Sequence, residues 1–209
     1  MSIIGNPLRL LALQTVTVTV LGAKNEVVSY TGDGSGSITL DANGEGTANI
    51  RKGTYTFTGG VSGYSKAYTV NASMTVYVRP VACIYWYGVK LGTITPSTGS
   101  SPTYYDTYFQ WNFPSNSDYA ALRTGNNGSG YSSVTVKTTT CNMGGYGFVT
   151  YHNADSPGTS WSHTATLSNN GTVTHNYTYA SGYQIRISGY NYKSRGYYTR
   201  VQEWYLGDR

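Results

Sequence analysis

Apolar and polar residues alternate without a break in Thr15-Val-Thr-Val-Thr-Val-Leu21, so Val16, Val18 and Val20 share one face of a half-buried strand. Turn residues follow at Gly22 to Asn25 and again at Gly32-Asp33-Gly34. Further strands are predicted over 26–30, 37–40, 47–50, 54–58, 64–70 and 74–78. Short strands at this spacing, separated by glycine-rich turns, predict an antiparallel β-sandwich over residues 15–79. Pro80 then ends the alternation of Met74 to Arg79, because proline cannot donate to a ladder and sits at strand edges or between strands. An apolar run, Val81 to Tyr87, starts directly behind it, so Pro80 reads as a short, stiff boundary between two β domains.

The second region, 80–209, has a different texture. Ala82 to Tyr87 carries apolar residues on both faces, as a central or covered strand does. Residues 92–102 are rich in Ser, Thr, Pro and Gly and read as a long loop. In the aromatic run Tyr104 to Phe113, a continuous strand places Tyr105, Thr107, Phe109, Trp111 and Phe113 on a core face, with Tyr104, Asp106, Tyr108, Gln110 and Asn112 opposite. Strands are also predicted over 132–140, 147–152, 160–167, 172–180, 184–192 and 199–206, with Asn169-Asn170-Gly171 as a hairpin turn. Eight strands without a helical pattern predict an all-β chain: an Ig-like/prealbumin-like β-sandwich followed by a jelly-roll-like β-sandwich.

Residues 1–14 form an arm. Its apolar positions Ile3, Ile4, Leu8, Leu10 and Leu11 suit either an attachment surface or a first strand tucked under the sandwich. Met1 to Pro7 lacks a charged start and a long apolar core, so no secretory signal is expected. No apolar stretch reaches the length of a membrane span.

Charged residues are only 11% of the chain and hydrophobic ones 39%, a balance that excludes disorder. The net charge of +5 is spread out. Its densest basic run, Arg186 to Arg209, interleaves Tyr190, Tyr192, Tyr197 and Tyr198, a texture that nucleic-acid surfaces share. Glu203 and Asp208 dilute it, and solvent-side residues on a terminal strand explain it as well, so no nucleic-acid partner is expected. Cys83 and Cys141 form one disulfide or stand as two thiols; without a secretory signal the thiol reading is preferred.

Catalytic chemistry finds little footing. His152, His163 and His175, with Cys141 upstream, offer ligands for zinc or a Cys/His nucleophile, yet no phosphate loop, Gly-x-Ser-x-Gly elbow or His-Glu-x-x-His pair is present. Asp33, Asp41, Asn43 and Glu45 supply calcium-type oxygens, but hairpin turns use the same residues and the spacing is not that of a calcium loop. The sequence therefore predicts no enzyme activity, no metal and no cofactor.

Asp41-Ala-Asn-Gly-Glu-Gly-Thr-Ala-Asn-Ile50, Lys52-Gly-Thr-Tyr-Thr-Phe57, Gly63-Tyr64 and Tyr68-Thr-Val70 resemble the carboxypeptidase-regulatory-like or prealbumin-like sandwich module. The two-domain layout, with Ile84-Tyr-Trp-Tyr-Gly88 and Glu203-Trp-Tyr-Leu-Gly207, resembles accessory virion proteins of tailed bacteriophages: decoration proteins, head fibres, and tail or baseplate components. That resemblance implies a homo-oligomer, with a trimer favoured, bound to capsid or tail subunits and located in the virion after assembly in the host cytoplasm. The alternative is a carbohydrate-binding or adhesin module that recognises cell-surface glycans. In both readings the candidate glycan or subunit contacts are Tyr104, Tyr108, Trp111, Trp161, Tyr190 and Tyr192.

Overall fold

In the computed structural model the described residues are 14–92, 95–96, 102–112, 119–123, 133–142, 147–153, 162–176, 183–190 and 198–207. The arm residues Ile3, Ile4, Leu8, Leu10 and Leu11 lie outside them. The chain divides into two compact units, Met1–Arg79 and Pro80–Arg209. All regular structure among the described residues is strand.

Among its described residues the first unit has seven strands: β1 (Thr15–Leu21), β2 (Val27–Gly32), β3 (Ser35–Thr39), β4 (Glu45–Arg51), β5 (Gly53–Gly59), β6 (Ser65–Val70) and β7 (Met74–Tyr77). They make a three-stranded sheet in the order β4-β1-β7 and a four-stranded sheet in the order β3-β2-β5-β6. The alternation read from the sequence is the inside–outside alternation of the sandwich: Val18, Val20 and Val76 of one sheet and Val28, Phe57 and Val70 of the other are all 0% exposed. The β1–β7 pair is parallel, and all the other ladders of this unit are antiparallel.

A buried carboxylate closes this unit at one end. Glu26, 0% exposed, accepts the Ala23 amide on Oε2 (2.9 Å) and the amides of Val61 and Ser62 and the Ser62 hydroxyl on Oε1 (3.0 Å each). The carboxylate thus ties the β1–β2 turn to the β5–β6 turn, which is how a buried charge is accommodated without a cation.

Among its described residues the second unit has twelve strands, against the eight the sequence predicts: β8 (Cys83–Trp86), β9 (Val89–Lys90), β10 (Thr95–Pro96), β11 (Thr103–Tyr104), β12 (Phe109–Asn112), β13 (Tyr119–Arg123), β14 (Ser133–Asn142), β15 (Gly147–Asn153), β16 (Ser162–Thr166), β17 (Thr172–Asn176), β18 (Tyr183–Tyr190) and β19 (Tyr198–Leu206). One sheet runs β10-β13-β18-β15-β16; the other runs β11-β12-β19-β14-β17, with β8 on β19 and β9 on β8. Pro96 lies in β10, an edge strand, where its missing N–H costs nothing. All four residues of β8 are buried, as its two apolar faces predicted.

Two expectations fail, both at turns. Asn169 to Gly171 does not join a hairpin, because β16 and β17 belong to different sheets. The turn is a crossover fastened to β14: Asn169 Oδ1 accepts the Cys141 amide at 2.7 Å, the Asn170 amide donates to the Thr139 carbonyl at 3.1 Å, and the Thr138 amide donates to the Gly171 carbonyl at 2.9 Å. Asn170 takes the left-handed conformation (φ 50°) that makes Asn-Gly a turn signal in either setting. Tyr104 to Phe113, likewise, is not one strand. β11 and β12 form a hairpin, with the Tyr105 amide donating to the Tyr108 carbonyl across its loop at 2.8 Å.

Candidate functional site: a tyrosine and arginine face

That hairpin decides which aromatic side chains reach solvent. Tyr104 pairs with Phe109 and Thr103 with Gln110, so Tyr104 lies on Phe109's side of the sheet instead of with Tyr108, and at this edge it stays 39% exposed. Tyr105, expected in the core, sits in the loop at 43% exposure. Trp111 is 0% exposed on the inner face beside Phe109, so it is part of the core and its ring is closed to a glycan, contrary to its expected role as a glycan or subunit contact.

On the other side of β12 runs β19, with Phe109 opposite Val201, Gln110 opposite Arg200, Trp111 opposite Thr199 and Asn112 opposite Tyr198. Directly opposed residues share a face. Phe109, Trp111, Thr199 and Val201 go inward and are fully buried, which sends Gln110, Asn112, Tyr198 and Arg200 outward.

The outward side chains form a row. The rings of Tyr105 and Tyr108 stack with centroids 4.8 Å apart and planes 28° apart. The Arg200 guanidinium lies 5.1 Å from the Tyr108 centroid and 5.2 Å from that of Tyr198. It is held there by its Nε, which donates to Gln110 Oε1 at 2.8 Å, while Gln110 Nε2 donates to Asn112 Oδ1 at 2.9 Å. Among the described residues no carboxylate pairs with Arg200, and no protein group is hydrogen-bonded to the hydroxyls of Tyr105, Tyr108 or Tyr198. A half-buried guanidinium braced between aromatic rings gains cation–π attraction and keeps its terminal donors in a set direction.

Tyr104 belongs to a separate edge. Its ring lies 6.1 Å from both Tyr85 and Phe109, with Lys90 Nζ 5.7 Å from its centroid. Burial raises the hydroxyl pKa of Tyr104, and burial likewise raises that of Tyr85 strongly. Of the remaining candidates, Tyr190 lies in β18 with its side chain outside the described residues, and Trp161 and Tyr192 are wholly outside them.

Among the described residues, Asp33 and Asp41 are engaged in structure, and the two cysteines form no disulfide. Cys83 and Cys141 are both free thiols; burial, the largest influence, pushes the Cys141 thiol up and away from the reactive thiolate. His152, His163 and His175 lie on β15, β16 and β17, with β17 in the other sheet, and their side chains lie outside the described residues. No group of three or more potential metal ligands occurs among the described residues. Asp41 is a turn cap: Oδ1 accepts the amides of Asn43 (2.8 Å) and Glu45 (2.9 Å), and these bonds, Glu45's foremost, lower its carboxyl pKa. Asp33 Oδ2 accepts the Thr54 amide at 2.7 Å.

Lys137, Tyr87 and Glu203 make a second polar cluster. Tyr87 Oη donates to Glu203 Oε1 at 2.8 Å, and Lys137 Nζ reaches Tyr87 Oη at 2.7 Å and Glu203 Oε1 at 3.1 Å. Tyr87 sits in the two-residue β8–β9 turn with φ 34°, followed by Gly88 at φ 94°, the positive pair that a tight hairpin requires. Glu203 is 1% exposed and the Lys137 side chain 31%, so this network is an internal tie with its lysine edge at solvent.

No protein-family model matches the chain, and no curated protein matches it in sequence. Among solved structures, a carbohydrate-binding module from the β-sandwich superfamily is 12% identical with a TM-score of 0.42, covering 93% of this chain and 98% of that one. A DUF3823 family protein from Bacteroides ovatus is 12% identical with a TM-score of 0.26, covering 90% and 96%. The secreted serine protease VesC from Vibrio cholerae is 10% identical with a TM-score of 0.37, covering 93% of this chain and 48% of that one. At these scores the likenesses carry no argument about ligand or activity, and what the chain itself displays is an all-β architecture of two units, each built from two sheets.

Proposed function

We propose that the chain is a non-catalytic recognition module that binds glycans on the outer face of β11, β12 and β19. The observation that carries this reading is the row Tyr105, Tyr108, Arg200, Tyr198, whose three hydroxyls have no protein partner among the described residues. Aromatic faces take the C–H faces of sugar rings, and the adjoining guanidinium and amides of Gln110 and Asn112 address sugar hydroxyls. A single-stranded nucleic acid needs a basic groove that follows its backbone, and this face carries one cation beside two neutral amides.

The virion role expected from the sequence rests on that resemblance alone, and no observation in the fold favours it on its own. It is compatible with the glycan reading, since a particle protein that displays such a face does both.

The test is a glycan array probed with the intact chain, followed by calorimetric titration of the strongest glycan into wild type, Tyr198→Ala and Arg200→Ala. Saturable binding weakened about tenfold by each substitution supports the proposal. An empty array, or binding indifferent to both substitutions, overturns it. Sedimentation of the same proteins separates the subunit-contact alternative, in which Tyr198→Ala dissociates an oligomer instead.

A further inference from the structure

The first unit holds a pocket of about 310 Å³ at one end of its sandwich. Both sheets contribute: Asn49 and Arg51 from β4 on one side, and Tyr30, Asp33, Gly34 and Tyr55 from β2, the β2–β3 turn and β5 on the other. Its volume falls in the range of small-ligand sites, about 300–1,000 Å³. Tyr30 and Tyr55 meet edge to face at 5.7 Å, and the Tyr55 hydroxyl is anchored by donating to the Arg51 carbonyl at 3.0 Å. Burial first, and then the charge of Asp33, raises that hydroxyl's pKa, which places the carboxylate's field over the buried wall of the pocket.

Asp33 and Arg51, of opposite charge, line this one cavity and do not form an ion pair with each other. Asp33 gives one oxygen to the Thr54 amide and keeps the other, and the Arg51 guanidinium has no partner among the described residues. A ligand that satisfies both must donate to a carboxylate and accept from a guanidinium over a short span, while laying an apolar surface against tyrosine. Neighbouring hydroxyls of a pyranose do this, since each hydroxyl donates and accepts at once.

We propose that this pocket is a second binding site that takes a single pyranose unit, held between Asp33 and Arg51 with its C–H face against Tyr30. The site lies in the first unit and stands whether or not the tyrosine and arginine face of the second unit binds glycans.

Gly34 makes the proposal testable without removing a binding group. A Cβ there meets only the edge of Tyr55, at 3.6 Å from its hydroxyl and ring, an ordinary contact, so Gly34→Val fills the pocket at an unstrained position. The neighbouring Gly32, at φ 146° with its Cβ position against the Thr54 carbonyl oxygen, offers no such freedom.

The experiment follows the Gly34, Ser35 and Thr54 amide resonances of the full ¹⁵N-labelled chain during titration with the methyl glycosides of glucose, galactose, mannose and N-acetylglucosamine. The proposal expects at least one glycoside to shift these amides saturably. It expects Gly34→Val and Arg51→Ala each to weaken that binding about tenfold, the loss of one charge-assisted contact, with Tyr108→Ala leaving it unchanged. No saturable shift from any of the four overturns the proposal, as does a response that survives both pocket substitutions. Loss of the shifts in Tyr108→Ala overturns it too, by assigning them to the other site. An equal response to glycine overturns the pyranose assignment in favour of a zwitterion.

Discussion

Both units are rich in tyrosine, and Tyr55 and Tyr68 of the first serve a different end from Tyr105, Tyr108 and Tyr198 of the second. In the first unit Tyr55 and Tyr68 commit their hydroxyls to backbone: Tyr55 Oη donates to the Arg51 carbonyl, and Tyr68 Oη bridges the carbonyl and amide of Tyr77 at 3.0 and 3.1 Å. Their rings pack with Phe57 into one cluster, at centroid distances of 6.3 and 6.1 Å. In the second unit Tyr105, Tyr108 and Tyr198 lie on the outer side of a sheet whose inner side is already filled by Phe109, Trp111 and Val201. Tyrosine that completes a core has both ring and hydroxyl accounted for; tyrosine outside a completed core needs another reason to be there, and a ligand supplies one.

Substitutions on the two sides of β12 should therefore act on different properties. The largest effect is expected for Trp111→Ala, which empties a fully buried indole site and should cost the second unit about 3–5 kcal/mol in urea denaturation. A smaller loss, about 2 kcal/mol and confined to the first unit, is expected for Glu26→Gln, because the new NH₂ either confronts the Ala23 amide or displaces the acceptor of Val61 and Ser62.

Alkaline pH should sharpen the contrast again. Burial raises the pKa of Tyr87, so the folded state favours its protonated form. Burial is also the largest influence on Lys137, pulling its pKa down, but the bonds to Tyr87 and Glu203 outweigh it and the net direction is up. Both groups then contribute stability that is complete below their unfolded values near pH 10 and is lost as pH rises through the folded ones. The urea midpoint of the second unit should fall above roughly pH 10, and Tyr87→Phe should flatten that fall. A midpoint that rises there, or an unchanged slope in Tyr87→Phe, would contradict the network's role.

The smallest change in stability, within about 0.5 kcal/mol, is expected for Tyr105→Ala, an exposed loop residue outside the core.

The first unit was legible in the sequence because its strands are half-buried: Thr15 to Leu21 shows one apolar and one polar face, and the observed strand begins and ends at those two residues. The second unit hid more. A run of aromatics has no polar face to mark where a strand stops, so strand alternation carries through the loop between Tyr104 and Phe109 and puts Tyr104 on the wrong side. Asn-Gly marks a left-handed turn but not which strands the turn joins, so the crossover at Asn169 to Gly171 looked like a hairpin. The candidate face depends on Gln110 meeting Arg200 across 90 residues of sequence. Tyr198 and Arg200 were visible as part of a basic, tyrosine-rich run, but nothing local places that run beside β12.

The most direct test of the central claim sets binding and stability side by side in the double variant Tyr105→Ala/Tyr108→Ala. With the strongest array glycan as titrant, the account predicts at least about tenfold weaker binding with the thermal midpoint within about 2 °C of wild type. Undiminished binding, or a collapse in stability like that of Trp111→Ala, would show that these tyrosines serve the fold and not a ligand.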